Sequence, residues 1–348
     1  MLAGASVYAY ANARSRALRS FMLTPANYDT LLRARSLPMM IQTLLSMPAY
    51  SQYARELMQA KTPADLEAVL IKDYYDKVSR VSSWVPERNA RQLLRTLSMR
   101  FDFDNLKLLL RAAVTKAEAS EVTRLLVPSL RYPPDVAAKL AERASVDDVI
   151  ASVWDSSLRS LLMEAKRAAE ELKSPLPLEL TVDRYMAELL WRQSQQLPEV
   201  SKQAVRHLLG VELDSKAILA CLRAKALRAK AEDMELIVPK MRYRLGEDLE
   251  KAMRAATLNE AMRTLAEGSY SSVLRGSQSL SDVERRLTLY MIEVNKQVFI
   301  QYPFQLTVVI AFLNLKYYEV RNVRSIAIGK FYELPPNVIR GVIYHSIT

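Results

Sequence analysis

The sequence predicts an all-α fold, and three observations support that class. Only 7 of the 348 residues are glycine while half are hydrophobic, and such a composition favours long helices over sheets and tight turns. Runs in which apolar and polar residues alternate between turn residues are scarce. Signals for the start of a helix are frequent: Thr24, Thr62 and Val85 each precede a proline, which is favoured in a first helical turn.

One short sequence motif, called the repeated phrase below, occurs three times, at 101–113, 211–224 and 317–329. Each copy has an acidic residue, then a polar residue three positions later, then an apolar run with helical spacing. The copies lie about 108 residues apart, which indicates internal repetition. The repeated motif consists of the acids Asp102, Glu212 and Glu319, the polar residues Asn105, Ser215 and Asn322, and Arg324 in the last copy.

Helix N-caps recur at nearly the same period. Ser145 with Asp148, and Thr257 with Glu260, have the spacing of a capping box, in which a hydroxyl and a carboxylate satisfy free N–H groups of a first helical turn. Ser36 precedes another helical pattern that has proline in its first turn. These markers predict three similar helical domains, at 1–116, 117–226 and 227–348.

The repeated phrase also predicts local structure. Glu319 and Asp102 are both predicted near helix starts, where a carboxylate offsets the positive end of the helix dipole. After Glu319, apolar residues share one helical face, and Gly329 is predicted to stop the helix. The polar residues of the three copies, at positions 105, 215 and 322, are each predicted to connect their helix to a loop or to a neighbouring element through the side chain.

Known catalytic and ligand-binding motifs are absent from the sequence. The two histidines, His207 and His345, and the single Cys221 have no metal-ligand spacing. Cys221 is predicted to be a buried, inert thiol. The one Gly-Lys pair, at Gly329, lacks the other glycine of a P-loop. No catalytic residue, cofactor or metal ligand is therefore predicted, and one cysteine cannot form an internal disulfide.

Charge and hydropathy narrow the choice of partners. A net charge of +11 attracts nucleic acid, anionic lipid or acidic protein surfaces. Near the start of the chain, Arg14, Arg16 and Arg19 are predicted to dock a partner or lipid headgroups. The most apolar stretch, 306–315, is about half as long as a bilayer span. The chain is therefore expected to be soluble, with any membrane association peripheral.

Two stretches carry a resemblance to a known family. YAYANARSR at 8–16 and EVRNVR at 319–324, together with the three helical copies, resemble the C subunit of archaeal A-type ATP synthases and the d subunit of vacuolar-type ATPases. The resemblance covers essentially the whole chain. It implies three helical domains arranged with pseudo-threefold symmetry as a funnel, peripheral on the cytoplasmic face of the cell membrane.

The same resemblance implies a non-catalytic role and specific partners. The membrane rotor ring would lie below the funnel, and the central stalk, with its D and F subunits, would enter the cavity at its top. Ion flow turns the ring, the funnel passes torque to the stalk, and catalytic subunits elsewhere make ATP. The resemblance implies no cofactor, no nucleic acid and no small-molecule substrate.

The residues alone leave two other hypotheses open. A basic, all-helical scaffold that binds nucleic acid would lose affinity steeply as salt is raised. A helical enzyme with a carboxylate site would lose activity when a single Asp or Glu is replaced.

Overall fold

The computed structural model describes residues 7–143, 145–301 and 304–344. Within these ranges the chain forms α-helices and one short 3₁₀-helix, Ser51–Tyr53, and no β-strand. The predicted all-α class is thereby confirmed. Two compact units are present: the first comprises Met1–Ser98, Pro198–Val205 and Ile292–Thr348, and the second comprises Met99–Leu197 and Arg206–Met291.

The helices of the described ranges are numbered in chain order. They are α1 (Ala9–Arg19), α2 (Pro25–Arg33), α3 (Leu37–Leu45), α4 (Ala54–Gln59), α5 (Pro63–Ser83), α6 (Arg88–Ser98), α7 (Arg100–Thr115), α8 (Ala119–Leu125), α9 (Pro134–Arg143), α10 (Val146–Ala151), α11 (Ser156–Glu171), α12 (Leu176–Gln195), α13 (Glu199–Ala226), α14 (Ala231–Ile237), α15 (Asp248–Arg254), α16 (Leu258–Glu267), α17 (Ser271–Leu274), α18 (Leu280–Gln297), α19 (Leu306–Phe331) and α20 (Pro336–Val342). None of these helices combines the length and the apolar character that a bilayer crossing requires.

Hydroxyl caps start several helices where the sequence predicts them. Thr24, Ser36 and Thr62 are the N-caps of α2, α3 and α5, and each side chain accepts a hydrogen bond from the backbone N–H three residues later. Ser145 and Thr257 do the same at α10 and α16. These predicted helix starts are confirmed. They could be predicted because an N-cap depends on hydrogen bonds within one helical turn.

The core of the first unit is built around α19. Every residue from 306 to 320 is buried, so over this length the helix has no face toward solvent, as is typical of a central helix. The helices α1, α3 and α5 pack against it. The first unit therefore brings segments from both ends of the sequence into one core.

The predicted helix starts at the two acids differ in outcome. Asp102 lies in the first turn of α7, as predicted. Glu319 does not lie near a start, because α19 begins at Leu306 and includes the whole apolar stretch before the motif. The prediction for Glu319 is wrong, and no helix-dipole argument applies to its carboxylate.

The prediction that Gly329 stops the last helix is also wrong. The helix α19 continues to Phe331 and is followed by Glu333, which has a left-handed backbone (φ 54°), while the N–H of Leu334 donates to the carbonyl of Gly329 at 2.8 Å. A Cβ atom at position 329 would lie 2.5 Å from Cγ1 of Ile339 in α20. Glycine is therefore required here for the close packing of α20 on α19.

The second unit contains an aromatic cluster and an apolar cluster. In the first, the ring centroid of Trp154 lies 5.4 Å from that of Phe103 and 6.0 Å from that of Tyr132, and Tyr185 lies 6.3 Å from Phe103. The apolar cluster surrounds Cys221 of α13, and burial raises the pKa of this thiol to about 12. The predicted burial of this thiol is confirmed, and the raised pKa disfavours the reactive thiolate.

Candidate functional site

Two asparagines of the repeated motif hold the backbone in the same way. In the first unit, the amide of Asn322 donates to the carbonyl of Tyr344 at 2.8 Å and accepts from the N–H of the same residue at 2.9 Å. In the second unit, Asn105 makes the same two bonds to Val127, at 2.7 and 3.0 Å. Both partners lie 22 residues later in the chain. Each asparagine therefore ties a buried helix to the segment that follows it.

In the second unit, two buried acids also accept hydrogen bonds from backbone N–H groups of a later segment. We call each such contact between a buried carboxylate and a distant backbone N–H a clamp. A carboxylate oxygen of Asp102 accepts from the N–H of Arg131 at 2.6 Å, and one of Asp214 accepts from the N–H of Tyr243 at 2.9 Å. Both donors lie 29 residues after their acid. Asp214 further accepts from the hydroxyl of Tyr270 at 2.9 Å. Burial raises the pKa of both acids, and the N–H donors oppose that rise.

In the middle copy, the acid that makes this contact lies two residues after the acid that the sequence motif indicates. The sequence places Glu212 and Ser215 in the motif, but Asp214 makes the contact that corresponds to that of Asp102. Glu212 instead forms an ion pair with Arg100, with both of its oxygens within 2.9 Å of one guanidinium nitrogen. Ser215 is fully buried, and its hydroxyl has no hydrogen-bond partner among the described residues. The sequence misses Asp214 because two acids lie close together there.

Glu319 forms a third clamp, in the first unit. Its carboxylate accepts from the backbone N–H of Leu23 at 2.7 Å and from the hydroxyl of Tyr50 at 2.7 Å. Leu23 lies 13 residues before Ser36, the N-cap of α3. In the second unit, Arg131 and Tyr243 each lie 14 residues before an N-cap, Ser145 and Thr257 respectively. The three clamps therefore share one relation between an acid, a backbone N–H and a following helix cap.

A buried ionic network surrounds the third clamp. The ammonium of Lys316 lies 2.5 Å from Asp73, 2.5 Å from Glu319 and 3.1 Å from the hydroxyl of Tyr50. Lys77 forms a second ion pair with Asp73. Burial would raise the pKa of Asp73, but the two lysines outweigh it and hold that pKa below its usual value. Likewise, burial would lower the pKa of Lys316, and the two carboxylates raise it instead.

Sequence reasoning misses this network. The only signal is that Lys316 interrupts an apolar stretch of α19, whereas Asp73 lies on α5, far away in the chain. Arg324, the last residue of the predicted motif, is on the same helix as Lys316, and its Nε lies 2.8 Å from Glu67 of α5. Ion pairs between α5 and α19 thus occur at two levels along the helices.

The three arginines predicted to dock a partner do not form one patch. Arg16 donates to the carbonyl of Phe299 at 2.6 Å, and the guanidinium of Arg19 lies 4.2 Å from the ring of Phe299. Arg14 is turned instead toward Trp84, at 5.4 Å from its ring. Next to Phe299, Ile300 is 85% exposed. The resulting surface of the first unit combines two cations with an exposed apolar side chain.

A second exposed surface of the first unit is apolar. It follows the end of α19 and runs along α20, and sequence reasoning does not single it out. Its members are the exposed residues Phe331, Tyr332, Leu334, Val338 and Val342. Exposed apolar side chains grouped within one short segment are typical of contacts with other proteins or with membranes.

No metal site is found among the described residues, since no group of three or more His, Cys, Asp and Glu side chains could hold an ion. His207 is partly buried, with Nδ1 3.2 Å from the hydroxyl of Tyr243, and burial lowers its pKa. The other histidine, His345, lies outside the described residues.

Comparisons with known proteins agree over almost the full chain. The family model described as ATP synthase (C/AC39) subunit matches residues 11–342. The chain is 27% identical to the C subunit of the A-type ATP synthase of Methanocaldococcus jannaschii, over 97% of this chain and 86% of that protein. It is 24% identical to the protein of the same name in Haloferax volcanii (97% of each) and 24% identical to the C subunit of the V-type ATP synthase of Deinococcus radiodurans (96% and 90%). The chain belongs to the ATP synthase (C/AC39) subunit family.

Proposed function

We propose that this chain is the non-catalytic rotor subunit that links the membrane ring of an A/V-type ATP synthase to its central stalk. The observation that carries the proposal is the family match over residues 11–342, with relatives named as the C subunits of A-type or V-type ATP synthases. Ion flow turns the ring, and the chain transmits that rotation to the D and F subunits of the stalk. It lies peripherally on the cytoplasmic face of the membrane.

The three clamps support a threefold internal arrangement. Asp102, Asp214 and Glu319 each hold a backbone N–H that precedes a helix cap by a similar number of residues. In this proposal, three similar domains, 1–116, 117–226 and 227–348, surround one axis as a funnel. The third clamp joins α19 to the segment after α1, so it ties the C-terminal domain of this proposal to the N-terminal one.

The packing of the first unit supports a mechanical role. A part that transmits torque must deform little, and close-packed interiors have low compressibility. The central helix α19 is buried on all sides from 306 to 320 and carries Lys316, whose ion pairs fix it to α5. Twisting α19 relative to α5 would separate these charges inside a low-dielectric core. Loss of one partner of a buried ion pair costs about 3–5 kcal/mol, so the ion pairs oppose such a twist.

Two surfaces are proposed as partner contacts. Helix α1 provides the first: its Arg16 and Arg19 lie beside Phe299 and its Arg14 lies separately beside Trp84. These cations dock the ring or its lipid surround, where positive charge complements acidic loops and anionic headgroups. The apolar surface between Phe331 and Val342 contacts a partner protein of the complex, because exposed apolar area of this kind is costly in water unless it is covered.

Association with purified partners tests the proposal. The chain is mixed with the D and F stalk subunits and, separately, with the detergent-solubilised ring of the same enzyme, and each complex is measured by co-purification. We expect binding to both. Reversing Arg14, Arg16 and Arg19 to glutamate should weaken binding to the ring, whereas reversing the exposed Arg55, Arg88 and Arg95, which changes the net charge equally, should not.

Two results would contradict the proposal. One is a folded chain that binds neither the stalk nor the ring. The other is tight, steeply salt-dependent binding of nucleic acid in place of these partners, which would favour the scaffold hypothesis. Thermal melting of each variant shows whether lost binding reflects a lost contact or a lost fold.

A further inference from the structure

A cavity of about 220 Å³ lies in the first unit, beside the buried ionic network. Its walls come from the end of α1, from the segment around the 3₁₀-helix, from α5 and from α19. A water molecule occupies about 30 Å³ of liquid, so the cavity has room for a small polyatomic ion and its hydration water. Its position next to Lys316 raises the question of what ligand its charge would accept.

The lining of this cavity is cationic. Lys77, Arg80 and Lys316 all line it, and no carboxylate does so among the described residues. Ser51 and Gln52 add a hydroxyl and an amide. The cavity therefore presents three positive charges and two neutral polar groups to whatever occupies it.

The three cations are not equally satisfied. The ammonium of Lys316 directs its hydrogen bonds to Asp73, Glu319 and Tyr50, which accounts for its three N–H groups. Among the described residues, Lys77 has Asp73 as its one hydrogen-bond partner and so keeps two N–H donors for a further acceptor. Arg80 is exposed, and its guanidinium makes no hydrogen bond or ion pair among the described residues.

Charge balance leaves the mouth of the cavity positive. Two buried carboxylates, Asp73 and Glu319, face two buried ammonium groups, Lys77 and Lys316, so the network itself is neutral. The guanidinium of Arg80 adds one charge that no ion pair offsets among the described residues. Burial lowers the pKa of Lys77, and the neighbouring Lys316 lowers it further, so an anion placed here would stabilise the ammonium form.

The spacing of the donors favours an oxyanion with several acceptor atoms. Lys77 and Arg80 are three residues apart on α5, which places them on the same helical face. Ammonium and guanidinium groups that line one cavity can bind phosphate oxygens through charge-assisted hydrogen bonds. Exposed Phe21 also lines this cavity, as expected where a headgroup enters a cavity and its chain stays outside.

We infer that this cavity binds a phosphate-class oxyanion between Lys77 and Arg80, either as free phosphate or as the headgroup of an anionic lipid. The inference does not depend on the proposed rotor role, because it concerns the isolated chain. A failure to bind the ring or the stalk would therefore leave it standing, and its own failure would leave the rotor role standing.

Calorimetric titration of inorganic phosphate into the purified full chain tests the free-ion form, with sodium chloride of matched ionic strength as the blank. Saturable binding is expected, and Arg80→Gln should weaken it about tenfold, as for the loss of one charged hydrogen bond. Arg80→Lys should recover part of the affinity. The matched control Arg95→Gln removes another exposed arginine, from α6, and should leave the affinity unchanged.

Co-sedimentation with vesicles of phosphatidylcholine and phosphatidylglycerol in equal parts tests the lipid form, with vesicles of phosphatidylcholine alone as the blank. Binding to the anionic vesicles that falls with Arg80→Gln but not with Arg95→Gln identifies a lipid headgroup as the ligand. The inference is overturned if neither phosphate nor anionic vesicles bind, or if both arginine variants change binding equally. Since Arg80 is exposed, its replacement should leave the fold intact, and thermal melting verifies this.

Discussion

The ammonium of Lys316 lies 2.5 Å from the carboxylate of Glu319, one turn later in the same helix, and both side chains are almost completely buried. The same ammonium contacts Asp73 of α5 at 2.5 Å. One lysine therefore compensates two buried acids that come from different helices. Lys77 also pairs with Asp73, but Lys316 is the cation that joins the two acids, at the point where the central helix is enclosed.

Replacing Lys316 with methionine should destabilise the fold by about 3–5 kcal/mol, because it leaves two carboxylates buried without their shared cation. Chemical denaturation of both proteins measures the difference in the free energy of unfolding. Lys72→Met on the same helix as Asp73 is the control: its ion pair with Glu56 is exposed, and its loss should cost no more than about 1 kcal/mol. Equal stability of wild type and Lys316→Met would show that the network does not hold the core.

Asn322→Leu should destabilise the fold by about 1–3 kcal/mol, because the N–H and carbonyl of Tyr344 lose their hydrogen-bond partners. Asn105→Leu should have a similar effect, since Asn105 makes the same two bonds to Val127. Thermal melting measures both changes. Gln92→Leu, on the exposed side of α6, is the control of the same chemical type, and a melting temperature as low in this variant would contradict the argument.

Asp183 should make the stability depend on pH in the acid range. Burial would raise its pKa, but Lys107 and Lys216, both within 3.1 Å, hold it well below the ordinary value of 3.8. The unfolded chain then takes up this proton first as pH falls, so the stability that the acid contributes is present above pH 3.8 and is lost below it.

The difference in unfolding free energy between wild type and Asp183→Asn isolates this effect. We expect the difference to be constant near neutral pH and to shrink as pH falls below about 4. Denaturation at a series of pH values measures it. A difference that stays constant down to about pH 2, or that grows as the solution is acidified, would refute the assignment.

Lys173→Gly should stabilise the protein by about 0.5–1 kcal/mol. Lys173 follows α11 with a left-handed backbone (φ 47°), and its side chain is exposed. An L residue in that conformation is strained, whereas glycine adopts it without cost. Thermal denaturation measures the gain. Lys139→Gly, in the exposed interior of α9, should instead destabilise by about 1 kcal/mol, and a loss of stability in both variants would argue against the capping explanation.

Several features could be predicted from the sequence because a few adjacent residues decide them. Three helix starts have both capping-box residues within four consecutive positions of the sequence, with the N-caps Thr24, Thr62 and Ser145. The burial of Cys221 follows from the apolar helical pattern around it. In these cases the interaction that decides the structure is local in the chain.

Other features could not be predicted, because the deciding contact comes from a distant segment. Gly329 looks like a helix stop, and only the approach of Ile339 shows that it is a packing position. Asp214 and Glu212 are equivalent candidates for the clamp until the backbone of Tyr243 selects one of them. A one-dimensional pattern cannot distinguish two acids two residues apart when the donor lies 29 residues away.

By itself, the sequence determined the all-α class and the helix caps, since these depend on residues within one or two helical turns, and it showed a threefold recurrence of an acid followed by a polar residue. Only the tertiary structure decided that Glu319 is an interior acid, that Lys316 neutralises it together with Asp73, and that the arginines near the N-terminus diverge. The reason is physical: desolvation and charge pairing depend on which side chains meet in space, and chain order alone does not set that.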